Sequence, residues 1–246
     1  MPKEASMEVL GLIPARGGSK SIPYKNVVEL GGHPMLAYVH EAARRASSIG
    51  RILCSTEDQR IACVCAGLGL EVVERPLELA DDDTHIIAVL KELIARLDDQ
   101  GYRPDAVALL QVTSPFLLPE HIDGCVELLK KNPEARSAQT VAAMPHNFHA
   151  YNQRHIVDGE VRFRFEDERR ECYNKQTKPK FYTFGNIVVT RTEALKDGDT
   201  CFAAPSLPFE IPRAYALDVD TPEDLDVAEW YLQTGKVSIA AFGKGR

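Results

Sequence analysis

Residues 14–26 combine glycines and basic side chains at a spacing suited to binding a polyphosphate. The segment reads PARGGSKSIPYKN and follows a short apolar run at residues 9–13. Adjacent glycines let backbone N–H groups approach an anion, because no Cβ stands in the way. Arg16, Lys20 and Lys25 add three positive charges within ten positions. The expected ligand is a nucleoside triphosphate, bound where a first strand opens into this loop.

The spacing of the glycines excludes the two commonest phosphate loops. Neither G-x-x-x-x-G-K-[ST] nor G-x-G-x-x-G occurs near the first strand. The sequence therefore predicts neither a P-loop enzyme nor a dinucleotide dehydrogenase.

A pair of carboxylates near the other end of the chain has the composition of a magnesium site. Asp218 and Asp220 lie two apart in a segment, residues 216–220, that we predict to be a strand. Both side chains would then point to the same face near the carboxyl end of that strand. Magnesium prefers one or two carboxylates together with substrate phosphates and water. The alternative is a solvated turn that caps the helix beginning at Pro222.

Strands and helices alternate between these two segments. We predict helices at residues 34–46, 57–67, 84–97 and 119–130, and strands at 51–55, 71–74, 106–111, 138–144 and 181–190. Such alternation indicates an α/β fold, a Rossmann-like and mostly parallel sheet with helices on both faces, whose ligands bind at the carboxyl ends of the strands. Residues 1–246 are expected to form a single domain.

Residues 145–181 interrupt the alternation and are predicted to form an inserted arm. A hairpin is expected around Asp158 and Gly159, with apolar residues on both sides of the turn. A ribbon of two strands is marginally stable alone, so we expect it to pair with a second copy in a homodimer.

Composition and charge limit the classes of partner. The chain is 44% hydrophobic and 26% charged, with a formal net charge of −7. An acidic protein does not attract nucleic acid in bulk, so the basic loop indicates a local site for a small phosphorylated ligand.

The first eight residues lack the basic and apolar blocks of a signal peptide, and no apolar run approaches the roughly 20 residues of a membrane span. We therefore expect a cytoplasmic protein without membrane contact. The six cysteines lack metal or disulfide spacing and are expected to be free.

At four places the sequence resembles the acylneuraminate cytidylyltransferases, or CMP-sialic acid synthetases. The matching segments are residues 13–26, residues 74–84 with ERP at 74–76 and LA at 79–80, LQVTSP at 110–115, and LDVDTPEDL at 217–225. The resemblance implies a nucleotide-diphospho-sugar transferase fold and a homodimer. It also implies a magnesium-dependent transfer of CMP from CTP to a sialic-acid-like nonulosonic acid, with release of pyrophosphate.

The resemblance also implies roles for individual residues. Arg16, Lys20 and Lys25 would neutralise phosphate charge, and Asp218 and Asp220 would hold magnesium. The other residues implicated are Ala15, Gly17, Asn26 and Arg75 for the nucleotide, and Gln111, Lys175 and Tyr182 for the acidic sugar. Lys178 and Arg170 of the arm are alternatives to Lys175. Thr84 either shares in nucleotide binding or caps the helix at 84–97.

Several alternatives share this chemistry or this fold. Tyr24 and the pair Asn174 and Lys175 stand where many members of the family carry other residues. The acceptor could accordingly be a legionaminic, pseudaminic or deoxy-octulosonic acid or a phosphonate, and the nucleotide could be GTP or another triphosphate. A non-catalytic nucleotide sensor is a further alternative.

Overall fold

A central β-sheet flanked by helices organises the chain. The structure, a computed structural model, describes residues 7–174 and 176–239. The strands are β1 Val9–Pro14, β2 Glu29–Leu30, β3 His33–Pro34, β4 Arg51–Thr56, β5 Glu71–Glu74, β6 Ala106–Leu109, β7 Ser137–Ala143, β8 Arg154–Val157, β9 Glu160–Phe163, β10 Tyr182–Arg191 and β11 Ser206–Glu210. The helices are α1 Met35–Arg45, α2 Gln59–Gly67, α3 Ile86–Asp99, α4 Pro119–Lys131, α5 Glu166–Glu171, α6 Thr192–Asp197 and α7 Pro222–Gln233.

Within the described residues the main sheet has the strand order β11-β7-β10-β6-β1-β4-β5. Neighbouring strands pair in parallel except where β10 runs antiparallel to β6 and β7. The predicted α/β class, with a mostly parallel sheet, is confirmed.

Alternate residues of β1 pack into two separate apolar cores. Leu10 and Leu12 pack with α3 side chains such as Leu93, whereas Val9 and Ile13 belong to the core on the α1 side. A strand buried on both faces reads as a continuous apolar run, which is what the sequence shows here. Helices therefore cover both faces of the sheet, as predicted.

The order of the strands brings the ends of β1, β4 and β6 together. β1 lies between β4 and β6 and is parallel to both, so the three carboxyl ends meet at one edge. The chain moves to one side of β1 to form β4 and β5, and to the other side to form β6. Ligands of open α/β sheets bind where the strand order reverses in this way.

One predicted strand is wrong. Arg213–Ala216 is a turn of 3-10 helix, and residues 217–220 are irregular rather than part of a ladder. The segment passes beyond the end of β6, where Val219 donates a backbone hydrogen bond of 2.7 Å to the Thr113 carbonyl. Because β6 has already ended at Leu109, there is no extended neighbour there on which a ladder could continue.

The arm has the predicted hairpin, in which β8 and β9 pair antiparallel. Its entry and exit are held together, since the ring of His149 stacks on Phe181 at 4.5 Å between centroids and its Nε2 lies 3.0 Å from the Pro179 carbonyl oxygen. Ile156 and Val161 face each other across the ribbon and are 74% and 66% exposed. Pairing of this apolar surface with a second copy stays a prediction.

The described part of the chain has no helix that is long and apolar enough to cross a bilayer. Its six cysteines are free, as predicted.

Candidate active site

A cleft of about 300 Å³ lies at the edge where the strands end. Arg16 enters it after β1, Arg75 after β5 and Thr113 after β6. Lys25 and Asn26 border it from the loop that follows β1. Residues far apart in the sequence therefore meet in one concave site with basic walls.

Two carboxylates pair with the cations of the cleft. Asp82 bridges Arg16 Nη1 at 2.7 Å and Lys20 Nζ at 2.5 Å. Asp220 accepts a hydrogen bond of 2.8 Å from Lys25 Nζ. The loop after β1 is thus joined to the segment at residues 217–220.

The basic loop is held in shape by three further hydrogen bonds. Gly17 N–H donates to Glu57 Oε1 at 2.7 Å, and Asn26 Nδ2 donates to the Arg16 carbonyl at 2.9 Å. The Ser21 hydroxyl donates to the Asp220 carbonyl. The Gly17 N–H therefore points at a carboxylate of the protein. Positive charge for a ligand comes here from the side chains of Arg16, Lys20 and Lys25.

Gly17→Ala is expected to lower the free energy of unfolding by about 1–3 kcal/mol, because overpacking forces neighbours to move. A Cβ on Gly17 would lie 2.5 Å from Oδ2 of Asp58. Asp58 cannot retreat freely, since its Oδ1 caps α2 through the N–H groups of Arg60 and Ile61. Urea unfolding measures the loss.

Gly18→Ala is the matched control for this substitution. A Cβ on Gly18 meets no described atom within 4 Å. Its free energy of unfolding should stay within about 0.5 kcal/mol of the wild type. Equal losses for the two variants would show that the contact with Asp58 does not make Gly17 necessary.

Arg75 is buried beneath the cleft. Its Nη2 donates to the Ser55 carbonyl at 3.0 Å, and that oxygen also accepts the Ala15 N–H at 3.0 Å. Burial lowers the pKa of Arg75, and the nearby Glu57 carboxylate opposes this shift. One carbonyl at the end of β4 thus positions both the start of the basic loop and the guanidinium.

The two acids of the C-terminal segment face away from the buried Val219 that separates them. Asp218 keeps contact with solvent on one side, yet the protein packed around it raises its pKa. A hydrogen bond with Thr113 opposes that rise, and the charge of Asp220 adds to it. A cation bound between these carboxylates would offset the repulsion that helps to raise the pKa of Asp218.

A buried polar cluster holds this segment in place. Asn186 Nδ2 contacts the Tyr215 carbonyl and His121 Nδ1, each at 3.0 Å. The Thr140 hydroxyl accepts the N–H groups of Asn186 and Ile187 at 2.7 and 3.0 Å, where β10 departs from its register with β7. The cluster ties β7, β10 and the start of α4 to the chain just before Asp218.

Burial lowers the pKa of His121 to about 4. An unfolded histidine titrates near 6.5, so between these values the unfolded state binds more protons and the free energy of unfolding falls as the pH falls. We expect His121 to contribute a loss of about 2 kcal/mol between pH 7.5 and pH 5. Urea unfolding at both pH values measures it.

His121→Asn is the control for the pH dependence. Burial also lowers the pKa of His40, which stays in both proteins, so the difference between their pH profiles isolates His121. The variant should show a flatter profile. Parallel profiles would contradict the assignment of the acid sensitivity to His121.

Some predicted site residues lie apart from the basic cleft. Gln111 is partly buried, and its backbone carbonyl accepts the Ser114 N–H. Tyr182 begins β10, paired with the last residue of β7, and its hydroxyl lies 3.4 Å from Glu210 Oε2. Tyr182 therefore lies at the same edge of the sheet as the cleft, beyond the end of β6. Lys175 falls outside the described residues.

Two basic residues of the arm that the resemblance implicates have partners within the arm. Lys178 Nζ donates to Asn152 Oδ1 at 2.7 Å, and Arg170 pairs with Glu166 at 2.7 Å. Thr84 borders the cleft, while the residue that precedes α3 is His85. The expectation that Thr84 caps this helix is wrong.

Sequence reasoning missed three residues that shape the site: Glu57, Asp82 and Asn186. Glu57 could have been found, since it directly follows the end of β4 and strand ends carry the site. Asn186 gives no local signal, because its partners are distant in sequence.

The family model for cytidylyltransferases matches residues 10–196, which include the basic loop and three of the strand ends at the cleft. The chain belongs to this cytidylyltransferase family. It is accordingly an enzyme of the nucleotidyltransferase class.

Curated members with similar sequences span nearly the whole chain. CMP-N,N'-diacetyllegionaminic acid synthase of Legionella pneumophila is 28% identical over 237 residues, covering 95% of this cytidylyltransferase and 100% of that protein. Pseudaminic acid cytidylyltransferase of Campylobacter jejuni is 26% identical over 224 residues, covering 91% and 95%.

The fold of this cytidylyltransferase also resembles that of a solved CMP:2-keto-3-deoxy-manno-octonic acid synthetase complexed with CTP. The TM-score is 0.70 with 17% identity, and the alignment covers 94% of this chain and 100% of the other. At that identity the likeness establishes the shared fold.

Proposed function

We propose that this enzyme transfers CMP from CTP to a nonulosonic acid, a nine-carbon 2-keto sugar acid, and releases pyrophosphate. The observation that carries the proposal is the contact of 2.8 Å between Asp220 of the acidic pair and Lys25 of the basic loop, a residue that lines the cleft. This reaction needs two components. Basic side chains neutralise the triphosphate, and carboxylates hold the magnesium ion that accompanies it.

On the phosphate side, Arg16, Lys20 and Lys25 would neutralise the charge of the triphosphate. Arg75 is preorganised by Ser55 on the side of the cleft that the nucleoside would occupy. Asn26 fixes the Arg16 carbonyl and so shapes the loop around the ligand. Hydrogen-bond donors that are already fixed towards the phosphates need not reorganise as negative charge develops in the transition state.

The side chains of Asp218 and Asp220 fit magnesium. Both offer hard carboxylate oxygens, the ligand type that this cation prefers. Two carboxylates completed by phosphates and water are the usual arrangement for magnesium with nucleotides. When bound, Mg²⁺ would screen the triphosphate and stabilise charge on the leaving pyrophosphate.

The chemical step would be an in-line displacement at the α-phosphorus. The anomeric hydroxyl of the sugar acid forms the new P–O bond and its proton passes to water, while the bond to the β-phosphate breaks and pyrophosphate leaves. Catalysis is then mostly positioning and electrostatic stabilisation, with no covalent enzyme intermediate.

The names of the relatives support the class of acceptor. One is named for N,N'-diacetyllegionaminic acid and another for pseudaminic acid. We further propose a homodimer in which the arm, with its exposed Ile156 and Val161, packs against the second copy. Basic residues of the arm, including Lys175, would then be available to the carboxylate of the sugar.

The direct test is pyrophosphate release from CTP and magnesium across a panel of acidic sugars. The panel includes sialic, legionaminic, pseudaminic and deoxy-octulosonic acids, and the successful acceptor is repeated with GTP, UTP and ATP. Release that requires both CTP and a nonulosonic acid supports the proposal. The proposal would be overturned if deoxy-octulosonic acid were the only acceptor that gave release, or if release required a nucleotide other than CTP.

A further inference from the structure

Asp82 lies against the two cations that the proposed function assigns to phosphate. One of its oxygens contacts Arg16 Nη1 at 2.7 Å and the other contacts Lys20 Nζ at 2.5 Å. The carboxylate thus sits between two cations of the basic loop, as a phosphate group would. Hydrogen bonding to Lys20 lowers the pKa of Asp82, with a smaller contribution from Arg16, so the group is ionised at neutral pH.

The surroundings of Asp82 differ from those of Asp220, the carboxylate that pairs with Lys25. Asp220 belongs to the pair assigned to magnesium, whereas Asp82 lies in the irregular connection between β5 and α3. The side chains of Asp82 and Arg16 are 38% and 34% exposed, and that of Lys20 is 85% exposed. Ion pairs so open to water are weak, so a ligand with more negative charge can displace them.

We propose that Asp82 is an internal competitor for the polyphosphate site, which pairs with Arg16 and Lys20 in the free enzyme and is displaced by the phosphates of CTP. This inference rests on the proposed function. After transfer, the same carboxylate returns to the cations and favours the departure of pyrophosphate. Asp82 therefore weakens the binding of the substrate and of the released product together.

Asp82→Asn tests the proposal because it removes the charge and keeps the size of the side chain. We expect the Kd for inorganic pyrophosphate and for tripolyphosphate to fall about three- to tenfold, as the loss of two exposed ion pairs predicts. Isothermal titration calorimetry of the full chain in buffer with EDTA measures this without magnesium. Asp82→Ala should change both constants in the same direction.

Glu78→Gln is the matched control. Glu78 lies in the same connection, in the turn Leu77–Leu79, is exposed and carries the same charge. Its removal should leave both constants within about twofold, since the described ion pairs of Arg16 and Lys20 are with Asp82 and an exposed charge outside them is screened by salt. Cytidine, which has no phosphate, should bind wild type and Asp82→Asn alike.

Kinetics give a second readout. In Asp82→Asn the KM for CTP and the inhibition constant for pyrophosphate should fall by similar factors. Unchanged or weaker polyphosphate binding in both Asp82 variants would overturn the proposal, as would an equal gain in Glu78→Gln.

Failure of the proposed function can be recognised separately. Binding of polyphosphate needs no sugar, so the calorimetry reports on Asp82 even if no acceptor reacts. An enzyme that transfers CMP to a nonulosonic acid but shows no tighter binding in Asp82→Asn would refute the role of Asp82 alone.

Discussion

Asp220→Asn is expected to lower the rate of CMP transfer about a hundred- to a thousandfold, the size of effect seen when one preorganised charge-stabilising group is removed. Asp220 accepts a hydrogen bond from Lys25, and its charge acts on Asp218. The substitution therefore removes a proposed ligand of magnesium and the partner of a proposed phosphate-binding cation. Pyrophosphate release, followed over a range of magnesium concentrations, measures the effect.

Asp226→Asn provides the control. Asp226 is exposed on α7, six residues further along the chain, and its replacement changes the net charge equally. Its rate should stay within about twofold of the wild type, and both variants should unfold at the wild-type urea concentration. A rate for Asp220→Asn within tenfold of the wild type at saturating magnesium would refute the assignment of Asp220 to the metal.

Asn186→Leu is expected to lower the free energy of unfolding by about 3–5 kcal/mol, since each buried polar group left without a partner costs about 1–3 kcal/mol. The variant leaves the Tyr215 carbonyl without its contact to Asn186 Nδ2 at 3.0 Å, and it removes the Asn186 Oδ1 acceptor that lies 3.1 Å from the Thr140 hydroxyl. Leucine has the same number of side-chain heavy atoms as asparagine, so the substitution opens no cavity. Urea unfolding measures it.

Asn132→Leu is the comparison for this substitution. Asn132 is partly exposed at the end of α4 and donates one side-chain hydrogen bond, to the Leu128 carbonyl. Its loss should be about 1 kcal/mol or less. Similar losses at the two positions would show that burial of the cluster around Asn186 does not set its contribution.

Much of the fold could be predicted from local patterns. The strand at 71–74 has the predicted bounds, and helices such as α1 and α4 begin and end within a residue or two of the prediction. Their apolar spacing is read directly from neighbouring residues, and a covered parallel sheet follows from the alternation. The irregular segment at 217–220 was missed because a strand also depends on its neighbour, and the end of β6 removes that neighbour.

The sequence by itself determined the family, the basic loop and the acidic pair, because each is written in a few consecutive residues. The tertiary structure decided which charges meet. The pairing of Asp82 with Arg16 and Lys20, the contact of Glu57 with Gly17, and the cluster around Asn186 join residues that are 29 or more positions apart. Such contacts depend on the order of strands in the sheet, since that order sets which carboxyl ends share an edge.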